Sequence, residues 1–169
     1  AGTPFSAIFV SSVLNSVPFP EDREHILRIV AALCGPETLV CAAARGTKSS
    51  SWSWFTQGEA LSQRASRVCN FPLDMEKGVA LGDIATAPKV QKFFEEAEWL
   101  KLWSRYFGVV EAGLCDGMVT VRCRRPLAWH PRELAASLRF EFDLPYPDGQ
   151  RMGLVRLALK SFSQRLGLP

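Results

Sequence analysis

The sequence predicts an α+β fold, a small and mainly antiparallel sheet with helices packed on it, formed by residues 1–169 as a single domain. Three observations lead to this class. Apolar and polar residues alternate in residues 38–73 and again in residues 109–124, as in strands with one buried face. Apolar residues recur at helical spacing in two longer segments, 88–107 and 150–166. A chain of 169 residues, 47% hydrophobic and 22% charged, is long enough to bury one core.

The first 35 residues predict a strand or short helix, followed by a longer helix. Apolar residues cluster between Ile8 and Val17, but no basic residue precedes Arg23. The segment therefore lacks the charged start of an export signal, and it is too short and interrupted for a membrane span. Acidic residues after Pro20 favour a helix start, so we predict a helix from about Glu21 to Leu33.

The next part of the chain predicts a three-stranded antiparallel meander. Its strands would cover residues 39–44, 51–55 and 65–71. Trp52 and Trp54 alternate with serines, so both tryptophans would face one side of the second strand. A core-facing aromatic pair is the preferred interpretation, and a platform for stacking a ligand is the alternative. Residues 78–86 are predicted to be a connecting loop.

Residues 88–107 predict one long central helix, which is the basis of the functional hypothesis. One stripe of this helix is apolar along its length and would face the core. The opposite stripe begins with Lys92, Glu95 and Glu96, as a solvated face would. It then turns apolar, and we call this second half the aromatic face: Trp99, Leu102, Trp103 and Tyr106. A helix that is apolar on two sides must be covered on two sides, either by the same chain or by a partner.

A β-hairpin is predicted around Asp116-Gly117, the strongest hairpin signal in the sequence. If these two residues form the turn, Leu114 faces Val119 and Ala112 faces Val121. Val110 then faces Cys123, and Glu111 faces Arg122 on the solvated side. The hairpin should therefore bury one face only.

The C-terminal part predicts three further elements. A helix begins near Pro131, residues 138–143 alternate like a short edge strand, and a last helix spans about Gln150 to Leu166. Asp148-Gly149 marks a turn between them.

The cysteines predict buried, free thiols. Their number is odd and no Cys-x-x-Cys pair occurs among Cys34, Cys41, Cys69, Cys115 and Cys123. This spacing fits neither a zinc site nor a disulfide framework. Cys123 lies between two arginines, which could activate a thiol, but inward packing on a strand is preferred. We expect a reducing compartment, the cytoplasm or an organelle matrix.

The sequence contains no catalytic, metal-binding or nucleotide-binding motif that stands above background. The two glycines of residues 78–82 do not match a phosphate-binding loop. His25 or His130 with a cysteine would be a weak nucleophile pair. We therefore predict no catalytic residue, no metal and no cofactor.

Charge is distributed unevenly although the net charge is only +3. From Val119 onward the chain has nine basic and four acidic residues. Such a region could attract an anion, although a solvated surface is the simpler interpretation. The candidate anion-binding residues are Arg122, Arg124, Arg125, Arg156 and Lys160.

These observations predict a non-catalytic protein-interaction module or a small subunit of a larger assembly. Its protein partner, or a second copy of the chain, would dock on the aromatic face, because aromatic residues are favoured at interfaces. The alternative is a domain that binds an anionic ligand, nucleic acid or lipid surface through its basic C-terminal third. An unrecognised enzyme ranks third.

Overall fold

The computed structural model describes residues 2–3, 5–17, 19–49, 71–72, 79–82 and 89–168. These residues form an α+β fold, as predicted. The strands are β1 (Ala7–Ser11), β2 (Leu39–Arg45), β3 (Phe71–Pro72), β4 (Val79–Gly82), β5 (Lys89–Lys92), β6 (Phe107–Cys115) and β7 (Met118–Pro126). The helices are α1 (Pro20–Leu33), α2 (Glu96–Trp103), α3 (Pro131–Glu141) and α4 (Val155–Leu166), with a 3₁₀ turn at Leu14–Ser16.

The main sheet has four strands in the order β1-β2-β7-β6. β1 and β2 run parallel, with Ala7 beside Leu39, and α1 is the crossover between them. β7 is antiparallel to both of its neighbours, so the sheet is mixed. A parallel pair needs a crossover of a dozen or more residues, which the 14 residues of α1 provide.

The predicted three-stranded meander contains one strand that the structure confirms, β2, but the predicted pairing of that strand is wrong. The run at residues 39–44 is β2, yet β2 pairs with β1 and β7 rather than with a following strand. The predicted strand at 51–55, with Trp52 and Trp54, lies outside the described residues, as does 65–70. Val79–Gly82, predicted as loop, is a strand of a second antiparallel sheet in the order β3-β4-β5.

Of the predicted central helix at residues 88–107, only Glu96–Trp103 is helical, and Phe107 already belongs to β6. Lys89–Lys92 is β5 and pairs antiparallel with β4. Phe94 then pairs with the end of β2: its N–H donates to the Arg45 carbonyl over 2.9 Å and its carbonyl accepts from Thr47 N–H over 3.0 Å. A capping box of Glu95 and Glu98 starts the helix only at Glu96. Backbone partners from distant segments therefore replace the helical bonds that local spacing predicted.

The hairpin prediction is confirmed to the residue. Leu114 pairs with Val119, Ala112 with Val121, and Glu111 with Arg122. Asp116 and Gly117 both have positive φ, as a type I′ turn requires. Local turn chemistry sufficed to set this register.

The predicted edge strand at residues 138–143 is not formed: residues 138–141 are the end of α3, and residues 142–143 form the turn after it. Leu134, Ser137 and Leu138 are buried at i, i+3 and i+4, so this helix presents one face to α1. The last helix begins at Val155 rather than near Gln150, because residues 145–151 close a turn with a bridge between Pro145 and Arg151. It ends at Leu166, as predicted, before Gly167 in the left-handed conformation.

The main core lies between one face of the sheet and helices α1 and α2, and it contains Leu27, Val40, Trp99, Trp103 and Val121. A second, smaller cluster lies between α1, α3 and α4. The other face of the sheet leaves Phe9 77% exposed. Among the described residues, no helix is long and apolar enough to cross a membrane.

Candidate functional site

The carboxyl ends of the parallel strands β1 and β2 form the most promising location for a site. In open α/β sheets, ligands bind in the crevice beyond these ends. β1 ends at Ser11 and leads through a 3₁₀ turn into α1. β2 ends at Arg45, where Phe94 adds to the sheet. The ends of both strands therefore meet the start of α1 and the segment before α2.

Three polar side chains are almost completely buried in this region. Asn15 is 3% exposed, Arg23 2% and Lys92 1%. Asn15 Nδ2 donates to Gln91 Oε1 over 2.8 Å, and Arg23 Nη1 donates to the Val17 carbonyl over 2.9 Å. We call these three residues the buried polar cluster. It ties the turn after β1 to α1 and β5.

One side-chain atom of Asn15 lacks a hydrogen-bond partner among the described residues. Its Oδ1 is buried and has no hydrogen-bond partner in the part of the chain that the structure describes. Leaving a buried acceptor without a donor costs about 1–3 kcal/mol. An unsatisfied acceptor of this kind calls for an explanation, and a ligand that donates to it is one.

The buried cations Arg23 and Lys92 both lie over the ring of Phe94. Arg23 Cζ lies 5.4 Å and Lys92 Nζ 5.2 Å from the ring centroid, within the range of cation–π attraction. Lys92 Nζ also lies 2.8 Å from Glu98 Oε1. Phe94, itself 1% exposed, packs on Trp99 with ring centroids 4.7 Å apart. The aromatic core thus supports the buried polar cluster directly.

An open cleft of about 200 Å³ lies beside this cluster, and we call it the α1–α2 cleft. Its lining combines apolar surface with charges of both signs. α1 contributes Pro20, Arg23 and Glu24, α2 contributes Glu98, Lys101 and Leu102, and Phe94 and Arg105 complete it.

Both carboxylates of the cleft are held in ion pairs. Glu24 Oε1 lies 2.7 Å from Arg105 Nη1, and Glu24 Oε2 lies 2.9 Å from Arg28 Nη2. Glu98 pairs with Lys92 and receives the backbone N–H of Glu95 over 3.4 Å. Lys92 is buried, so the prediction that it belongs to a solvated face is wrong.

The aromatic face lies in the interior. Trp99 and Trp103 are 0% exposed, and Leu102 and Tyr106 are half-buried against the same core. Burial and the nearby Glu24 carboxylate raise the pKa of Tyr106 above its ordinary value. The same chain covers this face, which was one of the two alternatives that the sequence left open.

The basic residues of the C-terminal third are distributed over two regions. Arg122 and Arg124 line one pocket on the exposed face of β7, where Arg122 Nε lies 3.6 Å from Glu111 Oε2. Arg125 has a φ of 57° and donates its backbone N–H to the Pro36 carbonyl. Arg156 and Lys160 are exposed on α4, which packs on α3. Anion binding by these five residues stays a prediction.

Three of the described cysteines are partly or fully buried, and both histidines form hydrogen bonds within the fold. Cys123 is buried and burial raises its pKa to about 12, while burial raises the pKa of Cys34 to about 11. Cys115 is exposed, contrary to the prediction of buried thiols, and Cys69 lies outside the described residues. His25 Nδ1 lies 3.0 Å from Ser137 Oγ, and His130 accepts the N–H of Arg132 at the start of α3. Among the described residues, no three metal-ligating side chains come together.

Sequence reasoning missed Asn15, Arg23, Phe94 and Lys101 as site residues. One signal was available: the polar run Ser11-Ser12 and Asn15-Ser16 lies directly after an apolar strand and before a helix. In a strand–helix–strand unit this position lies at the ligand-binding edge of the sheet. Phe94 and Lys101 carried no such signal, because segments far along the chain bring them there.

The sequence matches no protein-family model and no curated protein. Among solved structures, the chain is similar to a SAM-dependent methyltransferase from Methanosarcina mazei, with a TM-score of 0.51 and 19% identity over 73% of this chain and 61% of that chain. It also aligns with the PH0226 protein from Pyrococcus horikoshii, with a TM-score of 0.46 and 11% identity over 72% of this chain and 51% of that chain. The chain thus spans about three-fifths of the methyltransferase that it matches.

The match corrects the functional prediction. A non-catalytic interaction module docking through the aromatic face is wrong, because the solved structure that the chain resembles in fold is a SAM-dependent methyltransferase and because Trp99 and Trp103 form part of the interior. The chain has a methyltransferase-like fold.

Proposed function

We propose that this chain is a catalytic part of a SAM-dependent methyltransferase that acts on a small molecule bound in the α1–α2 cleft. One observation carries the proposal: the parallel β1–α1–β2 unit ends at a cleft with a buried polar cluster, in a chain that shares its fold with such an enzyme. Because the chain spans about three-fifths of that enzyme, the activity is proposed for the complete protein.

The residues present are compatible with the cofactor. S-adenosylmethionine would supply an activated methyl group on a positively charged sulfonium, and it also carries an ammonium group and hydroxyls. Asn15 Oδ1 is a buried acceptor in need of a donor or a positive group, and it lies just beyond the end of β1. A neutral carbonyl oxygen suits such a ligand without adding a second buried charge.

The residues that line the α1–α2 cleft would bind and position the methyl acceptor. Phe94 and Leu102 offer apolar surface that excludes water, which strengthens electrostatic interactions inside. Holding the acceptor in one orientation removes much of the entropic cost of a two-substrate reaction. A bound S-adenosylmethionine would supply the methyl group that such an acceptor receives.

Calorimetric titration of the complete protein with S-adenosylhomocysteine tests the proposal, with NAD as the comparison ligand. We expect saturable binding of S-adenosylhomocysteine with one site per chain and no binding of NAD. Absence of S-adenosylhomocysteine binding at millimolar concentration would refute the proposal.

The substitution Asn15→Leu tests whether Asn15 contacts the bound S-adenosylhomocysteine. The variant should lose about tenfold or more in affinity for S-adenosylhomocysteine, or about 1.4 kcal/mol. Its free energy of unfolding should fall by no more than about 1 kcal/mol, because an unsatisfied acceptor disappears together with one hydrogen bond. Gln91→Leu is the matched control, since it removes the same hydrogen bond and leaves Asn15 Oδ1 in place. Equal loss of affinity in both variants would contradict a direct role for Asn15.

A further inference from the structure

We propose that the groove between α3 and α4 is a docking site for an amphipathic helix of a partner protein, one that carries acidic residues on both sides of its apolar stripe. This α3–α4 groove has a volume of about 230 Å³. Its lining is largely apolar: α3 contributes Leu134, Ala135 and Leu138, and α4 contributes Leu159 and Phe162. The groove shares no lining residue with the α1–α2 cleft, so its role does not depend on methyl transfer.

The apolar side of α4 is only partly covered by the rest of the fold. Leu159, Phe162 and Leu166 recur at helical spacing and contact the small cluster between α1, α3 and α4, yet each stays partly exposed. Of the 12 residues of α4, all of them described, Ala158 alone is buried. A helix of a globular protein normally turns its apolar stripe to the core, and an accessible apolar patch is typical of an interaction site.

Basic residues flank the groove on both helices. On α3 they lie three positions before and four positions after Ala135, and on α4 they lie three and seven positions before Ser163. Each pair is therefore next to the groove on the surface of its own helix. No carboxylate of the described residues lies within ion-pair distance of any of these side chains. The four basic residues, all exposed, are Arg132, Arg139, Arg156 and Lys160.

The acidic residues of the two helices do not compensate this charge. α4 contains none, and both acidic residues of α3 interact with α1. Glu133 Oε2 lies 4.0 Å from Arg28 Nε, and Glu141 interacts electrostatically with Asp22. The α3–α4 groove therefore combines an apolar floor with positive charge on both rims, which attracts acidic groups.

Two charged rims and a concave floor favour an amphipathic helix over other occupants. Such a helix lays its apolar stripe into a groove, and acidic residues on both of its flanks then meet both rims. A second copy of this chain would bring the same four cations together, and its helices with acidic first turns, α1 and α2, already bury their apolar sides in the core. A flat anionic bilayer could not reach the floor of the groove, where Leu134 and Leu138 are each 2% exposed.

Fluorescence anisotropy with two labelled synthetic peptides tests the docking site. The first peptide carries Leu at i, i+3, i+4 and i+7 with Glu on both flanks, and a side-chain crosslink keeps it helical because short helices are marginal alone. The second peptide has Lys in place of each Glu. We expect the Glu peptide to bind saturably with a Kd of about 100 μM or lower, and the Lys peptide to bind about tenfold more weakly or not at all.

The variant Lys160→Glu tests the rim. It should weaken binding of the Glu peptide about fivefold or more, because one attraction is replaced by a repulsion. Lys101→Glu is the matched control, since Lys101 is also an exposed helical lysine but lies on α2. The control should bind the Glu peptide like the wild type.

The variant Ala135→Phe tests the floor. The added ring would fill part of the groove, so this variant should lose binding of the Glu peptide. Ala136→Phe is the matched control, because Ala136 is exposed one position further along α3, outside the groove lining. Both variants should unfold at similar temperatures, and the rim variant Lys160→Glu provides an independent test if Ala135→Phe does not fold.

Three results would overturn the proposal: no saturable binding of the Glu peptide at about 1 mM, equal binding of the Glu and Lys peptides, or wild-type binding by both Lys160→Glu and a folded Ala135→Phe. Sedimentation and flotation with phosphatidylglycerol vesicles check the other two occupants. A dimer that Ala135→Phe abolishes would assign the groove to a second copy. Vesicle binding that Ala135→Phe abolishes would assign it to an anionic membrane, and either result would overturn the docking of a partner helix.

Discussion

Asn15, Arg23 and Lys92 show how burial can depart from residue type. Residues of these kinds are mostly exposed, yet each is less than 4% exposed here. Each has contacts that make this possible: Asn15 bonds to Gln91, 76 positions away, and both cations lie over Phe94. Such partners are invisible to a search of local pattern. The candidate site could therefore not be assembled from the sequence.

His25 forms a partly buried polar contact between α1 and α3. Its ring stacks on Phe140 with centroids 4.4 Å apart and is hydrogen-bonded to Ser137. Burial and Arg28 lower the pKa of His25, although Asp22 and Glu24 act in the opposite direction. Burial and Asp22 raise the pKa of Glu141 on the facing helix. Both groups thus favour their neutral forms in the folded protein.

The depressed pKa of His25 predicts acid sensitivity. Its stabilising contribution is fully present above the unfolded value of 6.5 and is lost as pH falls through the folded value. Glu141 has the opposite sign: its contribution is present below 4.5 and is lost as pH rises through its raised folded value. Chemical denaturation at pH 7.5 and 5.5 should therefore show a smaller loss of unfolding free energy in His25→Gln than in the wild type.

Ser137→Ala is the control for this pH effect. It removes the hydrogen bond but keeps the imidazole, so it should cost about 1 kcal/mol at both pH values and retain the wild-type loss between them. A loss in His25→Gln as large as that of the wild type would show that His25 does not carry the effect.

The elements differ in how far local sequence specifies them. The hairpin β6–β7 and helix α1 agree with the prediction because a turn dipeptide, a proline and a periodic apolar face all act over a few residues. The segment 89–95 has helical spacing but pairs with β4 and β2. Helix nucleation is costly and short helices are marginal alone, so strand pairing with existing edges prevails there.

Gly117 is predicted to be the least replaceable glycine of the turns. Its φ is 75°, and an added Cβ would lie 2.5 Å from Ser49 Cα. Gly149, with a φ of 84°, has no atom within 4 Å of such a Cβ. Gly149→Ala should cost only the left-handed strain, about 1 kcal/mol, and Gly117→Ala more than about 2 kcal/mol. Denaturant titration of both variants measures the difference, and equal costs would contradict the steric argument.

The fold gives its cysteine thiols very different solvent exposure. Cys115 is exposed at the hairpin turn, whereas Cys123, on the next strand, is buried with its pKa raised to about 12. Thiolates, not thiols, react with labelling reagents. Burial and suppressed ionisation should therefore protect Cys123 together.

Thiol labelling at pH 8, with peptide mapping by mass spectrometry, should modify Cys115 rapidly. Cys34 and Cys123 should react much more slowly, because burial raises the pKa of both thiols and Cys123 is also inaccessible to the reagent. Labelling in denaturant is the control and should modify all of them at similar rates. Rapid native labelling of Cys123 would contradict the packing of β7 on the core.

The sequence by itself determined the α+β class, helix α1, the end of α4 and the hairpin register, because each depends on neighbours within a few residues. Only the tertiary structure decided the parallel pairing of β1 with β2, the place of β5 in a sheet and the burial of the aromatic face. The α1–α2 cleft belongs to this second group, since its residues come from α1, Phe94 and α2. Pairing between distant segments decides which apolar side chains form a core and which charges meet at a site, and local periodicity does not contain that information.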